Sequence, residues 1–458
     1  MMEQIQKNSL PVAIIGGGPV GLAAAAHLVK KEESFILFEA GNTVGSSILE
    51  WGHVRMFSPW QYNIDKVAKE LLVESGWTPP NKELLPTGRE LVEEYLLPLS
   101  NLPEIKEHII FNSKVVGVAK KGIDKLKTAK RDNVPFQLYV EVDGNTKVYE
   151  AKAVIDSSGT WKNPNPMLSN GIWTNAERAL KDRIHYGIPN VRELENRYKN
   201  KTIMVIGSGH SAINALLDLA ELKEKYQNTA IHWVLRKKHV REAYGGQEND
   251  GLQARGELGI KIQRLVESEQ INVVTPFYIS GVKESNGKIS LTGDLDGKDS
   301  EISGIDEIVV SAGFRPNVTY LSEIRLNVDS AVESVEALAA LIDPNIHSCG
   351  TVRPHGEEEL RQSEKNFYIV GIKSYGRAPT FLLATGYEQV RSVVAYLTGD
   401  FIGAKEVQLE LPETGVCSTN LATSCCEDER LASQSKASSC CSGTVPVKMK
   451  SKSDSCCE

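Results

Sequence analysis

A glycine-rich turn between a short apolar strand and a helix constrains this 458-residue chain more than any other feature. Residues 12–15 (VAII) predict the strand, and the run LAAAAHLV after the turn predicts the helix. Between them, Gly16, Gly18 and Gly21 have the spacing G-x-G-x-x-G. The first glycine allows a tight turn, the second lets the backbone approach a pyrophosphate, and the third lets the helix pack on the strand. The sequence therefore predicts a dinucleotide-binding unit.

The residues around this turn add to the prediction. Pro19 lies inside the turn, where the N-terminus of the helix faces the charge of the phosphates. A second apolar run, FILFE, ends at Glu39, about 20 residues after the glycines. A carboxylate in that place hydrogen-bonds a ribose hydroxyl and repels a 2′-phosphate. We expect Gly16, Gly18, Pro19, Gly21 and Glu39 to bind one dinucleotide.

A second unit of the same kind lies in the middle of the chain. Residues 202–206 (TIMVI) predict a strand, and INALLDLAEL predicts the helix that follows it. The turn has the spacing G-x-G-x-x-A, and its candidate nucleotide-binding residues are Gly207, Gly209, Ser211 and Ala212. His210 is expected to lie on the phosphate side of this turn rather than to act as a catalytic base.

The next strand of the second unit ends on cations instead of an acid. The run AIHWVL leads into Arg236, Lys237 and Lys238. Cationic side chains in this place favour the 2′-phosphate of NADPH, and we assign Arg236 and Lys237 to it. The alternative is an ordinary solvated strand end.

Composition limits the partners and the compartment. The chain is 41% hydrophobic and 24% charged, which is typical of globular proteins. Its net charge of -7 argues against a nucleic-acid or anionic-membrane partner. We expect no secretory leader, because the start MMEQIQKNSLP lacks a basic region followed by an apolar one. We expect no membrane span, because the apolar run 12–29 carries glycines and a proline near its centre. These features predict a cytoplasmic location.

Two dinucleotide units in one chain resemble the two-dinucleotide-binding flavoproteins, and more closely their flavin-containing monooxygenase branch. Three further segments, each with its glycine, are similar to that family: 151–166 (Gly159), 309–317 (Gly313) and 366–379 (Gly371). The resemblance extends roughly over residues 12–400. It implies that the first unit binds FAD, that the second binds NADPH, and that the three glycines contact the cofactors.

The same resemblance implies an α/β fold with two Rossmann-like domains, in which the NADPH domain is inserted into the FAD domain. The expected limits are 1–175 and 315–411 for the two parts of the FAD domain, 176–314 for the NADPH domain, and 412–458 for a flexible cysteine-rich tail. Within the first part, the alternating run 134–156 has Asp-Gly at its centre and predicts a β-meander.

Aromatic and charged side chains in two segments are candidates for the reaction. In the resembling family, the region after the acidic ribose residue approaches the flavin, which implies Trp51 as a cofactor contact and His53 and Arg55 as catalytic groups. In the late segment, Tyr375 and Arg377 are catalytic candidates. For each of these the alternative is a structural role. Two apolar neighbours are expected to belong to the core instead: Met56 and Phe57.

Seven of the eight cysteines lie after residue 416. No C-x-x-C or C-x-x-x-x-C precedes them, which argues against a thiol–disulfide couple in the flavin core. Six of the seven form vicinal pairs that suit a thiophilic ion such as trivalent arsenic: Cys425, Cys426, Cys440, Cys441, Cys456 and Cys457. Nonspecific thiols or redox-dependent oligomerisation are the alternatives. The remaining body cysteine, Cys349, is expected to be an inert buried thiol.

These observations lead to a ranked set of functions. The first is an FAD- and NADPH-dependent monooxygenase that uses molecular oxygen to oxidise a soft heteroatom of a small molecule. With the cysteine tail, the resemblance narrows to monooxygenases of trivalent organoarsenicals, which convert methylarsenite to methylarsenate. One alternative is an NADPH-dependent disulfide or metal-ion reductase that uses the tail cysteines. Another is a metal-binding flavoprotein without turnover.

Overall fold

The computed structural model describes residues 10–343, 354–379 and 381–409. All eight cysteines lie outside these ranges. The predicted thiophilic site of the tail and the predicted inert Cys349 therefore fall outside the described residues.

Sixteen strands in the described part of the chain are numbered in chain order. They are β1 (Val12–Ile15), β2 (Phe35–Phe38), β3 (Ile109–Ile110), β4 (Ser113–Lys120), β5 (Phe136–Val142), β6 (Asn145–Ala151), β7 (Ala153–Asp156), β8 (Ile184–Tyr186), β9 (Thr202–Ile206), β10 (Ala230–Val234), β11 (Asn272–Val274), β12 (Phe277–Ser285), β13 (Lys288–Leu295), β14 (Lys298–Ile305), β15 (Glu307–Val310) and β16 (Phe367–Ile369).

Five helices of nine or more residues occur in the same ranges. They are α1 (Pro19–Lys30), α2 (Lys66–Glu74), α3 (His210–Lys225), α4 (Gln253–Glu267) and α5 (Leu383–Leu397). Shorter α-helical segments are Ser46–Leu49, Gly88–Leu91, Leu97–Ser100, Pro103–Lys106, Asn175–Ala179, Glu195–Tyr198, Glu336–Ile342 and Glu357–Leu360. No helix among the described residues combines the length and the apolar character that a membrane crossing requires.

Two parallel sheets form the framework. The first has the strand order β16-β7-β1-β2-β3, and the second has the order β11-β10-β9-β15-β8. Their central strands β1, β7, β9 and β15 are short and almost wholly buried, as expected for parallel strands covered on both faces. The predicted strands at 12–15 and 202–206 are confirmed residue for residue.

Helix α1 packs closely on the first sheet because its inner residues are small. The four alanines of residues 23–26 are fully buried, and the helix also packs against α5. Alanine gives a helix the best intrinsic propensity and lets its backbone lie near the sheet. The chain therefore places the glycine turn of residues 16–18 tightly between β1 and α1.

The two smaller sheets are antiparallel, with orders β4-β5-β6 and β12-β13-β14. In the first, Asp143 and Gly144 have φ angles of 51° and 75° and connect β5 to β6. Positive φ at both central residues is the geometry of a type I′ turn, so the predicted hairpin is confirmed. The end of the predicted meander differs, because β7 leaves it and pairs with β1 in the parallel sheet.

The chain passes twice between the parallel sheets, and the two passages are hydrogen-bonded to each other. The backbone NH of Asn165 donates to the carbonyl of Gly313 at 3.0 Å, and its side-chain amide donates to the carbonyl of Ala312 at 3.0 Å. The NH of Arg315 donates to the carbonyl of Asn163, also at 3.0 Å. The first sheet contains strands from both ends of the described chain, among them β1 and β16. The domain limits stay a prediction.

A buried ion pair joins distant parts of the chain around the first sheet. The guanidinium of Arg131 donates to both carboxylate oxygens of Glu364 at 2.7–3.0 Å, and the side chains are 3% and 1% exposed. Arg131 also donates to the carbonyls of Asp124 and Glu323 at 2.7 and 2.8 Å. Each of its three nitrogens thereby has an acceptor within the protein, which helps such a buried ion pair to be tolerated.

We expect Arg131→Met to lower the free energy of unfolding by about 3–5 kcal/mol, because Glu364 becomes a buried charge without its cation. The double variant Arg131→Met/Glu364→Leu should recover much of that loss, since both charges are then removed. Urea unfolding followed by circular dichroism measures both values. A loss below about 1 kcal/mol in the single variant, the range of exposed ion pairs, contradicts this role.

Candidate active site

A cavity of about 470 Å³ lies where four strands of the first sheet end. Gly16, Glu39, Ser157 and Gly371 line it, and they follow β1, β2, β7 and β16 directly or within two residues. Ligands of open α/β sheets bind in this place, outside the carboxyl ends of the strands. We refer to it as the first cavity.

The glycines of the first turn have three different environments. At Gly16, where φ is 101°, a Cβ would lie 2.9 Å from the carbonyl oxygen of Ser157. At Gly21, a Cβ would lie 2.0 Å from the carbonyl oxygen of Gly16. At Gly18, which lines the cavity with Pro19, no heavy atom lies within 4 Å of that position. The first two positions require glycine for packing, and the third leaves open space in which a pyrophosphate can approach the backbone.

Glu39, for which a ribose contact is predicted, forms hydrogen bonds within the chain. Its Oε2 accepts a hydrogen bond from the NH of Gly17 at 2.7 Å, and its Oε1 accepts from the NH of Gly41 at 2.7 Å and from Ser46 Oγ at 2.8 Å. The carboxylate therefore fixes the glycine turn. Because Oε2 receives one bond here and has a second lone pair, it can still accept from a ribose hydroxyl.

Aromatic rings form the walls of the first cavity. Trp51 lines it as predicted and lies 6.3 Å from Trp161, measured between ring centroids. Trp161 stacks on Phe314 at 4.6 Å and donates its indole NH to Glu50 at 2.9 Å. Trp161 follows Gly159, which also lines the cavity with a φ of 70°. Trp161 and Phe314 are not among the predicted site residues, although they lie within the segments 151–166 and 309–317 that resemble the flavoprotein family.

A second cavity of about 990 Å³ lies at the ends of β9, β10 and β15. Its lining includes six of the predicted nucleotide-binding residues: Gly207, Gly209, Ser211, Arg236, Lys237 and Gly313. A Cβ at Gly207, where φ is 131°, would lie 2.3 Å from the carbonyl oxygen of Ser311, whereas the position at Gly209 is open. Ala212 is fully buried and, like Gly21, acts in packing behind its turn.

The two cavities share a wall. Phe57, His210, Ser211 and Phe314 line both of them, and the rings of Phe57 and His210 lie 5.5 Å apart. Phe57 is only half-buried, so its assignment to the core is wrong. Burial, and then the nearby Arg255, lower the pKa of His210. Ligands in the two cavities can meet at this wall.

The two predicted catalytic arginines lie in different cavities. Arg55 lines the first cavity, donates to the carbonyl of Leu85, and has its Nη1 3.7 Å from the carboxylate of Glu90. Arg377 was expected beside the flavin but lines the second cavity, together with Arg236. The turn after Gly371 reverses the chain at Gly376, where φ is 61°, before Arg377. The structure therefore places Arg377 among the cations of the second cavity.

The other two predicted catalytic residues are not among the described residues that line either cavity. His53 has a buried Nε2 without a hydrogen-bond partner, and burial lowers its pKa. Tyr375 is 1% exposed and packs against Phe381, with the ring centroids 5.3 Å apart. Because Phe381 lines the first cavity, Tyr375 supports the wall from behind.

A known protein family matches most of this chain in sequence. The model of the family described as pyridine nucleotide-disulphide oxidoreductase matches residues 13–337. Ferredoxin–NADP reductase 1 of Bacillus thuringiensis (strain Al Hakam) is 24% identical over 326 residues, which cover 69% of this chain and 73% of that protein.

Two solved structures are similar to the fold. Bacillithiol disulfide reductase of Bacillus cereus matches with a TM-score of 0.61 and 19% identity, covering 85% of this chain and 99% of that one. The FAD-bound cadaverine monooxygenase of the desferrioxamine pathway of Erwinia amylovora matches with a TM-score of 0.60 and 13% identity, covering 88% and 97%. These likenesses confirm the expected α/β fold with two Rossmann-like units.

The family match also confirms the predicted enzyme class, an FAD- and NADPH-dependent oxidoreductase, and with it the two cofactors. Since the match extends over more than half of the sequence, the chain belongs to the pyridine nucleotide-disulphide oxidoreductase family.

Proposed function

We propose that this oxidoreductase is a monooxygenase that transfers one atom of molecular oxygen to a soft heteroatom of a small molecule. The observation that carries the proposal is the aromatic first cavity, which shares a wall with the second. The sequence supports it, because no cysteine precedes residue 349 and the segments of the FAD unit that lie before it carry no C-x-x-C. A reductase that passes electrons through a protein disulfide needs thiols beside the flavin. A monooxygenase needs a secluded, apolar space there.

In this proposal each cavity holds one dinucleotide. FAD binds in the first cavity over Gly18, with its ribose on Glu39, and when bound it supplies two-electron chemistry and reactivity toward oxygen. NADPH binds in the second cavity over Gly209, with its 2′-phosphate on Arg236 and Lys237. The shared wall at Phe57 brings the reacting rings of the two ligands together.

The side chains around the first cavity then have distinct tasks. Trp51, Trp161 and Phe314 exclude water from the reacting region, which strengthens every electrostatic interaction inside it. Arg55 carries the positive charge of this wall and stabilises negative charge that develops during oxygen transfer. Its contact with Glu90 is long and exposed, so that ion pair offsets little of the charge of Arg55.

For the substrate we propose trivalent organoarsenicals, with methylarsenite as the test compound. Two sequence observations support this class: the resemblance to flavin-containing monooxygenases and the three vicinal cysteine pairs after residue 416. Trivalent arsenic is thiophilic, so paired thiols can capture it and deliver it to the enzyme. The lone pair on arsenic is the soft nucleophile that accepts the oxygen atom.

The direct test is the stoichiometry of the reaction. Methylarsenite, oxygen, NADPH and one proton should give methylarsenate, water and NADP⁺ in equal amounts, because one oxygen atom goes to arsenic and the other to water. Product chromatography, an oxygen electrode and NADPH absorbance measure the three quantities. Oxidation of NADPH without methylarsenate, or binding of arsenic without turnover, contradicts the proposal.

A reductase is the second candidate, because the relative from Bacillus thuringiensis is named a ferredoxin–NADP reductase and one solved structure is a disulfide reductase. It predicts anaerobic transfer of electrons from NADPH to ferredoxin or to a disulfide. Replacing all six paired cysteines by serine separates the candidates. The monooxygenase should show a KM for methylarsenite raised about tenfold with kcat within about twofold, whereas a reductase that uses these thiols should lose kcat.

The cations after β10, Arg236 and Lys237, predict a preference for NADPH over NADH. Arg236→Ala should raise KM for NADPH by about tenfold to a hundredfold, because a hydrogen bond to a charged group contributes about 1.5–3 kcal/mol. KM for NADH should change by less than about threefold, since NADH has no 2′-phosphate.

Lys238→Ala is the matched control, because Lys238 is the neighbouring cation but is not among the described residues that line the second cavity. It should leave both KM values within about twofold of the wild type. Equal losses for NADPH and NADH in Arg236→Ala would show that Arg236 does not bind the 2′-phosphate.

A further inference from the structure

A buried charged cluster lies beneath the first cavity, at a lysine that the sequence analysis gave no role. The ammonium of Lys373 is 2.7 Å from Asp156 Oδ2, 2.7 Å from the hydroxyl of Tyr320 and 3.0 Å from Ser158 Oγ. The side chains of Lys373 and Asp156 are 1% and 0% exposed. The ammonium thus donates to three oxygen atoms, which equals its number of donors.

The carboxylate of Asp156 is satisfied as completely as the ammonium. Its Oδ2 accepts from the hydroxyl of Tyr320 at 2.6 Å, and its Oδ1 accepts from Ser158 Oγ at 2.7 Å and from the NH of Ser158 at 3.1 Å. Burial, and then Asp156, hold the pKa of Tyr320 well above its usual value, so the phenol keeps its proton. The cluster consequently pairs one cation with one anion and leaves neither charge uncompensated.

These four residues come from the segments that build the floor of the first cavity. Asp156 ends β7, and Ser158 begins the first passage toward the second sheet and lines the cavity. Tyr320 follows the return passage, in a short 3₁₀ segment (Thr319–Leu321). Lys373 comes two residues after Gly371, which also lines the cavity together with Ile372. The ammonium of Lys373 therefore links the turn after Gly371 and both passages to the end of β7.

Burying an ion pair gives little net stability, because desolvation of the charges offsets their attraction. A fully hydrogen-bonded pair does fix geometry, since each of its donors has one acceptor in one direction. Here the ion pair fixes the loop of Ser158 and Gly159. Both residues line the first cavity, so the loop contacts a ligand bound there.

We propose that Lys373 is a positioning residue for FAD, which holds the loop of Ser158 and Gly159 and the turn at Gly371 in the geometry that binds the cofactor. The proposal rests on FAD in the first cavity and is independent of the substrate proposed above. Measurements of FAD binding therefore test it, whichever compound the enzyme oxidises.

The experiment compares cofactor affinity with protein stability. Protein freed of FAD is titrated with FAD, flavin fluorescence gives the dissociation constant, and thermal unfolding of the FAD-free protein gives its midpoint. Lys373→Met should weaken FAD binding at least tenfold and alter the visible circular dichroism of the bound flavin. Tyr320→Phe, which removes a single hydroxyl of the cluster, should weaken it about threefold.

Tyr368→Phe provides a matched control. The hydroxyl of Tyr368 donates to the buried carboxylate of Glu357 at 2.7 Å, and Tyr368 lies in β16 but is not among the described residues that line the cavities. It should lower the thermal midpoint about as much as Tyr320→Phe and leave FAD affinity within twofold. If Lys373→Met does not fold, the two tyrosine variants decide. Equal FAD affinity in Tyr320→Phe and Tyr368→Phe, or wild-type affinity in folded Lys373→Met, overturns the proposal.

Discussion

The close approach of helix α1 to strand β1 is the constraint on which the site depends. A side chain at Gly21 would overlap the carbonyl oxygen of Gly16, and one at Gly16 would crowd that of Ser157, so both positions require glycine. The tight turn leaves the backbone at Gly18 open to the cavity, with the N-terminus of α1 beside it. Glu39 then holds the turn from the neighbouring strand by its bond to Gly17. Packing and ligand binding thus have the same cause.

The same construction occurs a second time at Gly207, and the two copies become one site through their shared wall. Phe57 and Phe314 reach this wall from different parts of the chain, one after β2 and one from the return passage between the sheets. The hydrogen bonds between the two passages, such as that from Asn165 to Gly313, hold the cavities next to each other. The buried ion pair of Lys373 with Asp156 lies next to the same passages.

Local sequence patterns predicted the strands, the glycine turns and the Asp143-Gly144 hairpin, because sterics and short-range hydrogen bonding determine these features. Positions set by contacts between distant segments could not be read in this way. Phe57 and the preceding Met56 are large apolar residues of the kind found in a core, yet Phe57 lines two cavities. Arg377 crosses to the second cavity after the turn at Gly376, and the carboxylate that pairs with Lys373 lies 217 positions earlier.

Isotope labelling follows the proposed transfer of oxygen to a soft heteroatom atom by atom. The enzyme, NADPH and methylarsenite are mixed under isotopically labelled molecular oxygen in ordinary water, and the methylarsenate is examined by mass spectrometry. A monooxygenase should place one labelled oxygen atom in each product molecule. Consumption of NADPH with methylarsenate that is unlabelled, or with none formed, would contradict it.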